Sequence, residues 1–172
     1  MIWECDKVPV RNRRYCIDSN VLIQAKNGPY DFEFFPTFWL WLDQKFQEGI
    51  IFSSSLVCDE LLDGNDSLAG WVRERRSFFC LPNQLVQSHY SHIVDFINNH
   101  RDLFSESEIT KFLDGADPWV IALAMAEQAI VVTHERFLNG PSRKIKIPNI
   151  CEQFNIEYID TYRMLRELRV RF

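Results

Sequence analysis

Four acidic residues of this sequence have the type and the placement needed to act together on a phosphodiester bond. They are Asp18, Glu60, Asp117 and Glu135. Carboxylate oxygens are the hard ligands that Mg²⁺ and Mn²⁺ prefer, and two such ions ~3.5–4 Å apart activate a water and stabilise a leaving oxygen. Because clustered carboxylates repel one another when no cation is present, a site built from these four residues predicts one or two bound metal ions.

Each of these acids also has a structural interpretation when it is taken alone. Asp18 suits a turn after a strand, and Glu60 suits the solvated face of a helix, where the neighbouring Asp59 is an equally good carboxylate. Asp117 precedes a proline, and an aspartate in that position is a common helix N-cap. Glu135 suits an exposed loop. Only the joint pattern of the four favours a functional site over these interpretations.

Short apolar runs alternate with helical patterns along the chain. The runs at 15–17, 50–52, 129–133 and 156–159 predict buried strands. Helices are predicted at 21–26, after Pro36, at 56–62, 68–76, 84–100, 105–113, 119–128 and 162–168. The side chains expected on the buried face of the helix after Pro36 are Phe38, Trp39, Leu42 and Phe46. The alternation favours an α/β fold with a mainly parallel sheet covered on both faces.

The predicted strands bring the four acids towards one edge of the sheet. Asp18 directly follows the first strand, and Glu135 lies just past the third. Glu60 lies one turn into the helix after the second strand, and Asp117 starts the buried helix before the third. Ligands of parallel sheets bind outside the carboxyl ends of the strands, so we expect the four carboxylates to converge there.

Composition and charge limit the classes of protein to which the chain can belong. The 172 residues, 47% hydrophobic and 14% aromatic, predict one globular domain over residues 1–172. It has a short basic lead-in at 1–14 and an aromatic, insertion-like segment near 28–41. With 19 Lys and Arg against 24 Asp and Glu, the net charge of −5 argues against a protein that coats nucleic acid. The charge is compatible with an enzyme that meets a phosphodiester through bound metal ions.

Other kinds of site find little support in the sequence. The five cysteines include no C-x-x-C pair, so they predict small core residues in a reducing cytoplasm rather than zinc ligands or disulfides. His89, His92 and His100 have poor spacing for zinc, whereas His134 is a candidate substrate contact. No P-loop or G-x-S-x-G motif occurs. No apolar stretch approaches the ~20 residues of a membrane span.

Three segments around these acids resemble the motifs of PIN domains. They are 18–20 (D-S-N), 115–122 (G-A-D-P-W-V-I-A) and 131–135 (V-V-T-H-E). Glu60 falls where that family has its second acid, and the resemblance extends over residues 15–159. Segments 29–41 and 146–151 are similar to a prokaryotic PIN-like branch of formerly unassigned function.

The resemblance implies a three-layer α/β/α sandwich and Mg²⁺- or Mn²⁺-dependent endoribonuclease activity on single-stranded RNA. Many small prokaryotic PIN proteins are toxins of type II toxin–antitoxin pairs, so a cognate antitoxin and a homodimer are the protein partners that it suggests. By the same resemblance, the catalytic residues and metal ligands are Asp18, Glu60, Asp117 and Glu135. The residues that would support them are Asn20 and Thr133, through hydrogen bonds, and Ser19, which would orient the first loop.

Two features depart from the family pattern and keep other functions open. The fourth acid is Glu135 where aspartate is frequent, and the aromatic segment near 28–38 is not part of the minimal domain. A longer fourth acid would shift or weaken a second metal site, which leaves a catalytically weak or inactive PIN-like interaction module as the alternative. A phosphatase with Asp18 as nucleophile is disfavoured, because Asn20 stands where a second aspartate would act as general acid.

Overall fold

The computed structural model describes residues 13–172. In that range the chain forms five β-strands, nine α-helices and two short 3-10 turns. The strands are β1 (Tyr15–Ile17), β2 (Ile51–Ser54), β3 (Phe79–Cys80), β4 (Ile130–Val132) and β5 (Tyr158–Ile159). The helices are α1 (Ser19–Asn27), α2 (Pro36–Gln47), α3 (Ser55–Leu62), α4 (Ser67–Arg73), α5 (Gln84–Asn99), α6 (Glu106–Asp114), α7 (Asp117–Glu127), α8 (Ile147–Gln153) and α9 (Thr161–Glu167). Cys5 and most of the predicted basic lead-in lie outside the described residues.

The strands form one parallel sheet with β1 at its centre. Their order is β3-β2-β1-β4-β5, and Cys16 of β1 lies between Phe52 of β2 and Val131 of β4. The chain builds one half of the sheet outward from β1 and then crosses back to start the other half at β4. The carboxyl ends of β1 and β4 therefore meet where the strand order reverses, which is where ligands bind in sheets of this kind.

The sheet is buried because its strands are apolar and covered by helices. Every residue of β1, β2 and β4 is buried. Helix α7 lies against these three strands, and α5 packs on α7. Consecutive side chains of α7 are buried from Val120 to Ala124, so this helix has no face suited to water. The structure confirms the predicted α/β fold, with a parallel central sheet and a buried helix before β4.

Helix α2 follows its sequence pattern closely. It begins at Pro36 and buries the four side chains that the spacing predicts. Soon after its last residue, Gln47, Gly49 adopts a φ of +66°. Glycine occupies this left-handed conformation without the steric cost that other residues meet, so the chain turns sharply from α2 into β2.

The structure departs from the prediction at several elements, among them helix α8 (Ile147–Gln153), which was not predicted. Strand β2 continues to Ser54, whose hydroxyl accepts a hydrogen bond from Leu56 N–H at 3.3 Å and so caps α3. Helix α4 ends at Arg73, and a 3-10 turn follows at Arg76–Phe78. Strand β3 is absent from the prediction because two residues leave no periodic pattern, and it is defined by its pairing with β2.

One part of the aromatic segment at 28–41 packs into the core, and another part is exposed to solvent. Tyr30 stacks on Phe38 with ring centroids 4.2 Å apart. The indole Nε1 of Trp39 donates to the Tyr30 carbonyl at 2.7 Å. Phe34, by contrast, is 74% exposed. The segment therefore closes one side of the fold and also presents apolar surface.

The described cysteines pack as free thiols. Cys16, Cys58 and Cys151 are buried, and Cys80 is half-buried. They serve as the small core side chains that the sequence predicts. As for membrane insertion, residues 13–172 include no helix with the length and apolar character of a bilayer span.

Candidate active site

Asp18 lies where β1 ends beside β4. Its backbone N–H donates to the Val132 carbonyl at 3.0 Å, one residue past the strand. The side chain is fully buried and accepts three hydrogen bonds. Thr133 Oγ1 and Asn20 Nδ2 donate to Oδ2 at 3.0 and 3.2 Å, and Ser19 Oγ donates to Oδ1 at 3.3 Å. The residues that follow the two strands thus hold one carboxylate in a fixed orientation.

These hydrogen bonds oppose the cost of burying the Asp18 carboxylate. Burial raises the pKa of Asp18, and the charge of Glu135 acts in the same direction. The hydrogen bonds from Thr133, Asn20 and Ser19 lower this pKa, because each favours the ionised form. The net shift of the pKa is upward. The hydrogen bonds therefore do not fully compensate the negative charge of the ionised carboxylate.

Asp117 is the first residue of α7 rather than its N-cap, and the N-cap prediction is wrong. The N-cap is Ala116. The hydrogen bonds of the helix begin at the Ala116 carbonyl, which accepts from the N–H groups of Trp119 and Val120 at 3.0 Å. Glu60 Oε1 accepts a hydrogen bond from the Ala116 N–H at 2.9 Å. Within the described part of the chain, no group donates a hydrogen bond to the Asp117 carboxylate. Because no described donor is bonded to it, the Asp117 carboxylate is available for another role.

The ionisation of Asp117 reflects the charges around it. The pKa of Asp117 is raised to about 7, chiefly by burial and also by the charges of Asp18, Glu135 and Glu60. The charge of Lys146 lowers it. The four predicted acids are therefore close enough to act on one another, and their cluster carries an excess of negative charge at neutral pH.

Glu135 is the acid that already has a basic partner. Its Oε1 accepts a hydrogen bond from the Lys146 ammonium group, and its Oε2 accepts one from the Ile147 N–H at 2.8 Å. Its own N–H donates to Thr133 Oγ1 at 3.1 Å. The side chain of Glu135 is 13% exposed and that of Lys146 is 33% exposed, so this ion pair is partly shielded from water.

Lys146 is the site residue that sequence reasoning misses. The hydrogen bond to Glu135 raises its pKa, and the charges of Glu135, Asp117 and Glu108 add to that effect against the lowering caused by burial. A lysine directly before the I-P-N segment is the sequence signal that points to it. That signal is weak, because the contact depends on how the loop from β4 to α8 folds back.

The cluster is not arranged as a complete coordination shell. Among residues 13–172, no three Asp, Glu, His or Cys side chains stand ready to hold a metal ion. The reason is that Glu60 and Glu135 each face a protein donor. Asp117 has no such donor and has a pKa of about 7 beside three other carboxylates. This all-oxygen donor set suits Mg²⁺ or Mn²⁺, since a divalent cation neutralises the charge that raises the pKa of Asp117.

Two clefts share His134 and Tyr162 in their linings. The larger, of about 530 Å³, includes Thr133, Glu135 and Arg136 in its lining. The smaller, of about 300 Å³, lies against α1. The ring Nε2 of His134 lies 2.9 Å from Thr161 Oγ1, and burial lowers the pKa of His134 while Asp160 opposes that shift. A neutral imidazole therefore stands between the two clefts at pH 7.

Comparison with known proteins adds a family and structural relatives. The family described as "Domain of unknown function (DUF4411)" matches residues 15–172, and no curated protein matches the chain. The crystal structure of FitAcB from Neisseria gonorrhoeae is 15% identical with a TM-score of 0.51, covering 86% of this chain and 98% of that chain.

Two VapBC structures have a slightly lower TM-score of 0.49 and 14% identity. They are VapBC2 from Rickettsia felis, bound to a DNA fragment from its promoter, and VapBC-1 from nontypeable Haemophilus influenzae. Both comparisons cover 85% of this chain, with 97% and 96% of the respective relatives.

At this level of identity, the likeness to FitAcB concerns the fold. The same parallel sheet carries the segments whose motifs resemble PIN domains, so the fold is PIN-like, as the sequence analysis expects. The match over residues 15–172 covers nearly the whole chain, and the protein therefore belongs to the DUF4411 family with a PIN-like fold.

Proposed function

We propose that the protein is a metal-dependent endoribonuclease that cleaves single-stranded RNA and acts as the toxin of a type II toxin–antitoxin pair. The observation that carries this proposal is the Asp117 carboxylate. It has no hydrogen-bond donor among the described residues, and its pKa is raised to about 7 beside Asp18, Glu60 and Glu135. The cluster lies where the strand order reverses, between the ends of β1 and β4.

In this proposal each acid has a defined task. Asp18, Asp117 and Glu60 would hold the principal divalent ion, Mg²⁺ or Mn²⁺, and Glu135 would complete its site or hold a second ion. When bound, the ion supplies an activated water and positive charge next to the scissile phosphate. A carboxylate of the cluster accepts the proton of the attacking water. Thr133 orients Asp18 and keeps it ionised through the hydrogen bond to Oδ2.

In this proposal Lys146 is the basic group that offsets part of the negative charge of the acid cluster. Its ammonium group pairs with Glu135, and its charge also favours the ionised form of Asp117. Glu135 must leave Lys146 in order to turn towards a metal ion. The released ammonium group is then suited to a phosphate of the RNA backbone beside Glu135, which lines the larger cleft.

A cognate antitoxin and a second copy of the chain are the protein partners that we propose. Phe34 is 74% exposed, Leu40 68% and Phe35 43%, and such apolar surface is typical of a protein interface. The resemblance of the motifs to PIN toxins supports the same partners. We also propose a cytoplasmic location, because the described cysteines are free thiols.

The decisive experiment is cleavage of a long single-stranded RNA. The wild-type protein is compared with Asp18→Asn and with Asp95→Asn, an exposed aspartate on α5 that serves as the matched control. Each is assayed with Mn²⁺, with Mg²⁺ and with EDTA. We expect metal-dependent cleavage by the wild type and by Asp95→Asn, and none by Asp18→Asn. Cleavage by Asp18→Asn at the wild-type rate rejects the assignment.

A non-catalytic interaction module is the second candidate. The pairing of Glu135 with Lys146 favours this module, because both carboxylate oxygens of Glu135 already accept hydrogen bonds without a metal ion. Thermal unfolding with millimolar Mn²⁺ or Mg²⁺ separates the two functions, since a ligand that binds only the folded state raises its stability. A rise in Tm that Asp117→Asn removes supports the nuclease, and an unchanged wild-type Tm supports the module.

A further inference from the structure

We propose that the smaller cleft, which lies against α1, binds one nucleobase of the RNA and sets the base preference of cleavage. This inference rests on the proposed nuclease function and adds the part of the site that selects a nucleotide. The cleft has a volume of about 300 Å³ and lies between α1, residues 28–30 and the start of α9. That size is at the lower end of the range of small-ligand sites.

The lining of this cleft suits a flat, uncharged ligand. Its walls are mainly apolar or aromatic, and Tyr30 and Tyr162 provide the largest rings. The amide groups of Gln24 and Asn27 are exposed at its edge, where they offer both donors and acceptors to the edge of a base. The described residues that line the cleft include no Asp, Glu, Lys or Arg, so a phosphate or a metal ion meets no opposite charge there.

The walls are held in place before any ligand binds. Tyr30 stacks on Phe38 with an angle of 8° between the rings. Gly28 lets the turn lie directly against α1, because a Cβ at this position would stand 2.7 Å from the Gln24 carbonyl oxygen. Tyr30 and Tyr162 both line the cleft. Burial raises the pKa of Tyr30, and the charge of Tyr162 adds to that effect. A preformed site loses less entropy when it binds its ligand.

His134 links this cleft to the acid cluster. It lines the smaller cleft and also the larger one, which includes Thr133, Glu135 and Arg136. A strand with one phosphate at the acids can therefore place a neighbouring base against Tyr162. Arg136 forms no ion pair with the described residues and is suited to the next phosphate along the strand.

The test uses the four neutral ribonucleosides, which carry no phosphate. Each is titrated into the full-length protein in EDTA and followed by amide NMR shifts. We expect one nucleoside to bind at least about fivefold more tightly than the weakest, which corresponds to a single base-edge contact. The double variant Gln24→Ala/Asn27→Ala should lose about fivefold or more of that affinity. The matched control is Gln47→Ala/Asn99→Ala, a pair of exposed amides away from the cleft, with Asn99 at the end of its helix as Asn27 is.

The outcomes separate this inference from the proposed function. Binding of no nucleoside, or equal loss in the control variant, overturns the base pocket even when the protein cleaves RNA. Nucleoside binding without metal-dependent cleavage overturns the nuclease function instead. If nucleosides do not bind and Tyr162→Ala changes the oligomeric state in sedimentation, the cleft is an interface between copies. In a cleaving protein, the double variant should also lose the base preference seen in sequenced RNA fragments.

Discussion

Replacement of Asp117 by asparagine should stabilise the metal-free protein at high pH. The pKa of this carboxyl is raised from 3.8 to about 7 in the folded protein. Folding therefore becomes less favourable as the pH rises through this window, because the folded state holds the proton more tightly than the unfolded chain does. At pH values well below 3.8 the carboxyl is protonated in both states and the penalty is absent. Asparagine keeps the shape of the side chain and removes the charge.

The size of the effect follows from the pKa difference. Each pKa unit corresponds to about 1.4 kcal/mol, so the ceiling is about 4 kcal/mol. Because Asp117 keeps some contact with solvent, which screens its charge, we expect Asp117→Asn to gain about 2 kcal/mol at pH 8. For a domain of this length that gain corresponds to a rise in Tm of roughly 4–8 °C.

Urea denaturation followed by tryptophan fluorescence measures this gain. The titrations are made in EDTA at pH 8 and at pH 4.5, with Asp95→Asn as the control. The gain of Asp117→Asn should be present at pH 8 and mostly lost at pH 4.5, while the control changes little at either pH. A gain of equal size at both pH values, or none at pH 8, refutes the electrostatic account of the cluster.

Three further substitutions test other contacts by the same urea titration. Lys146→Met leaves Glu135 without its basic partner and should lower the stability in EDTA by about 1–3 kcal/mol, so an unchanged midpoint excludes a neutralising role. Ser53→Ala removes the 2.6 Å hydrogen bond to the Ile17 carbonyl and should cost about 1–3 kcal/mol, and a neutral result means that water replaces it. Ile121→Ala, at a fully buried position, should cost about 2–5 kcal/mol, and a smaller loss implies that the core closes around the gap.

Local sequence patterns predicted the parts of the site that follow strands directly. Asp18 and Thr133 each come immediately after an apolar run, so their position at the sheet edge follows from the parallel arrangement alone. The N-cap assignment of Asp117 was wrong because the helical hydrogen bonds begin one residue earlier, at the Ala116 carbonyl. Glu60, from another helix, accepts the hydrogen bond of the Ala116 N–H. Such a contact between distant segments leaves no periodic signal in the sequence.

The same limit explains what the sequence did not predict about the fold. Strand β3 has two residues and exists through its pairing with β2. Lys146 reaches Glu135 because the loop between β4 and α8 folds back on itself. Helix α7 was predicted because a helix that is buried on nearly all sides consists almost entirely of apolar residues.

The central place of β1 has a consequence for synthesis of the protein. Asp18 and Thr133 are 115 residues apart in the chain. At about 5–20 residues per second, Asp18 leaves the ribosome roughly 6–23 s before its partner. During that interval the nascent chain can pair β1 with β2 but cannot form the acid cluster. If the protein is a nuclease, incomplete translation products that stop before β4 are inactive, and cleavage begins only when most of the chain has been made.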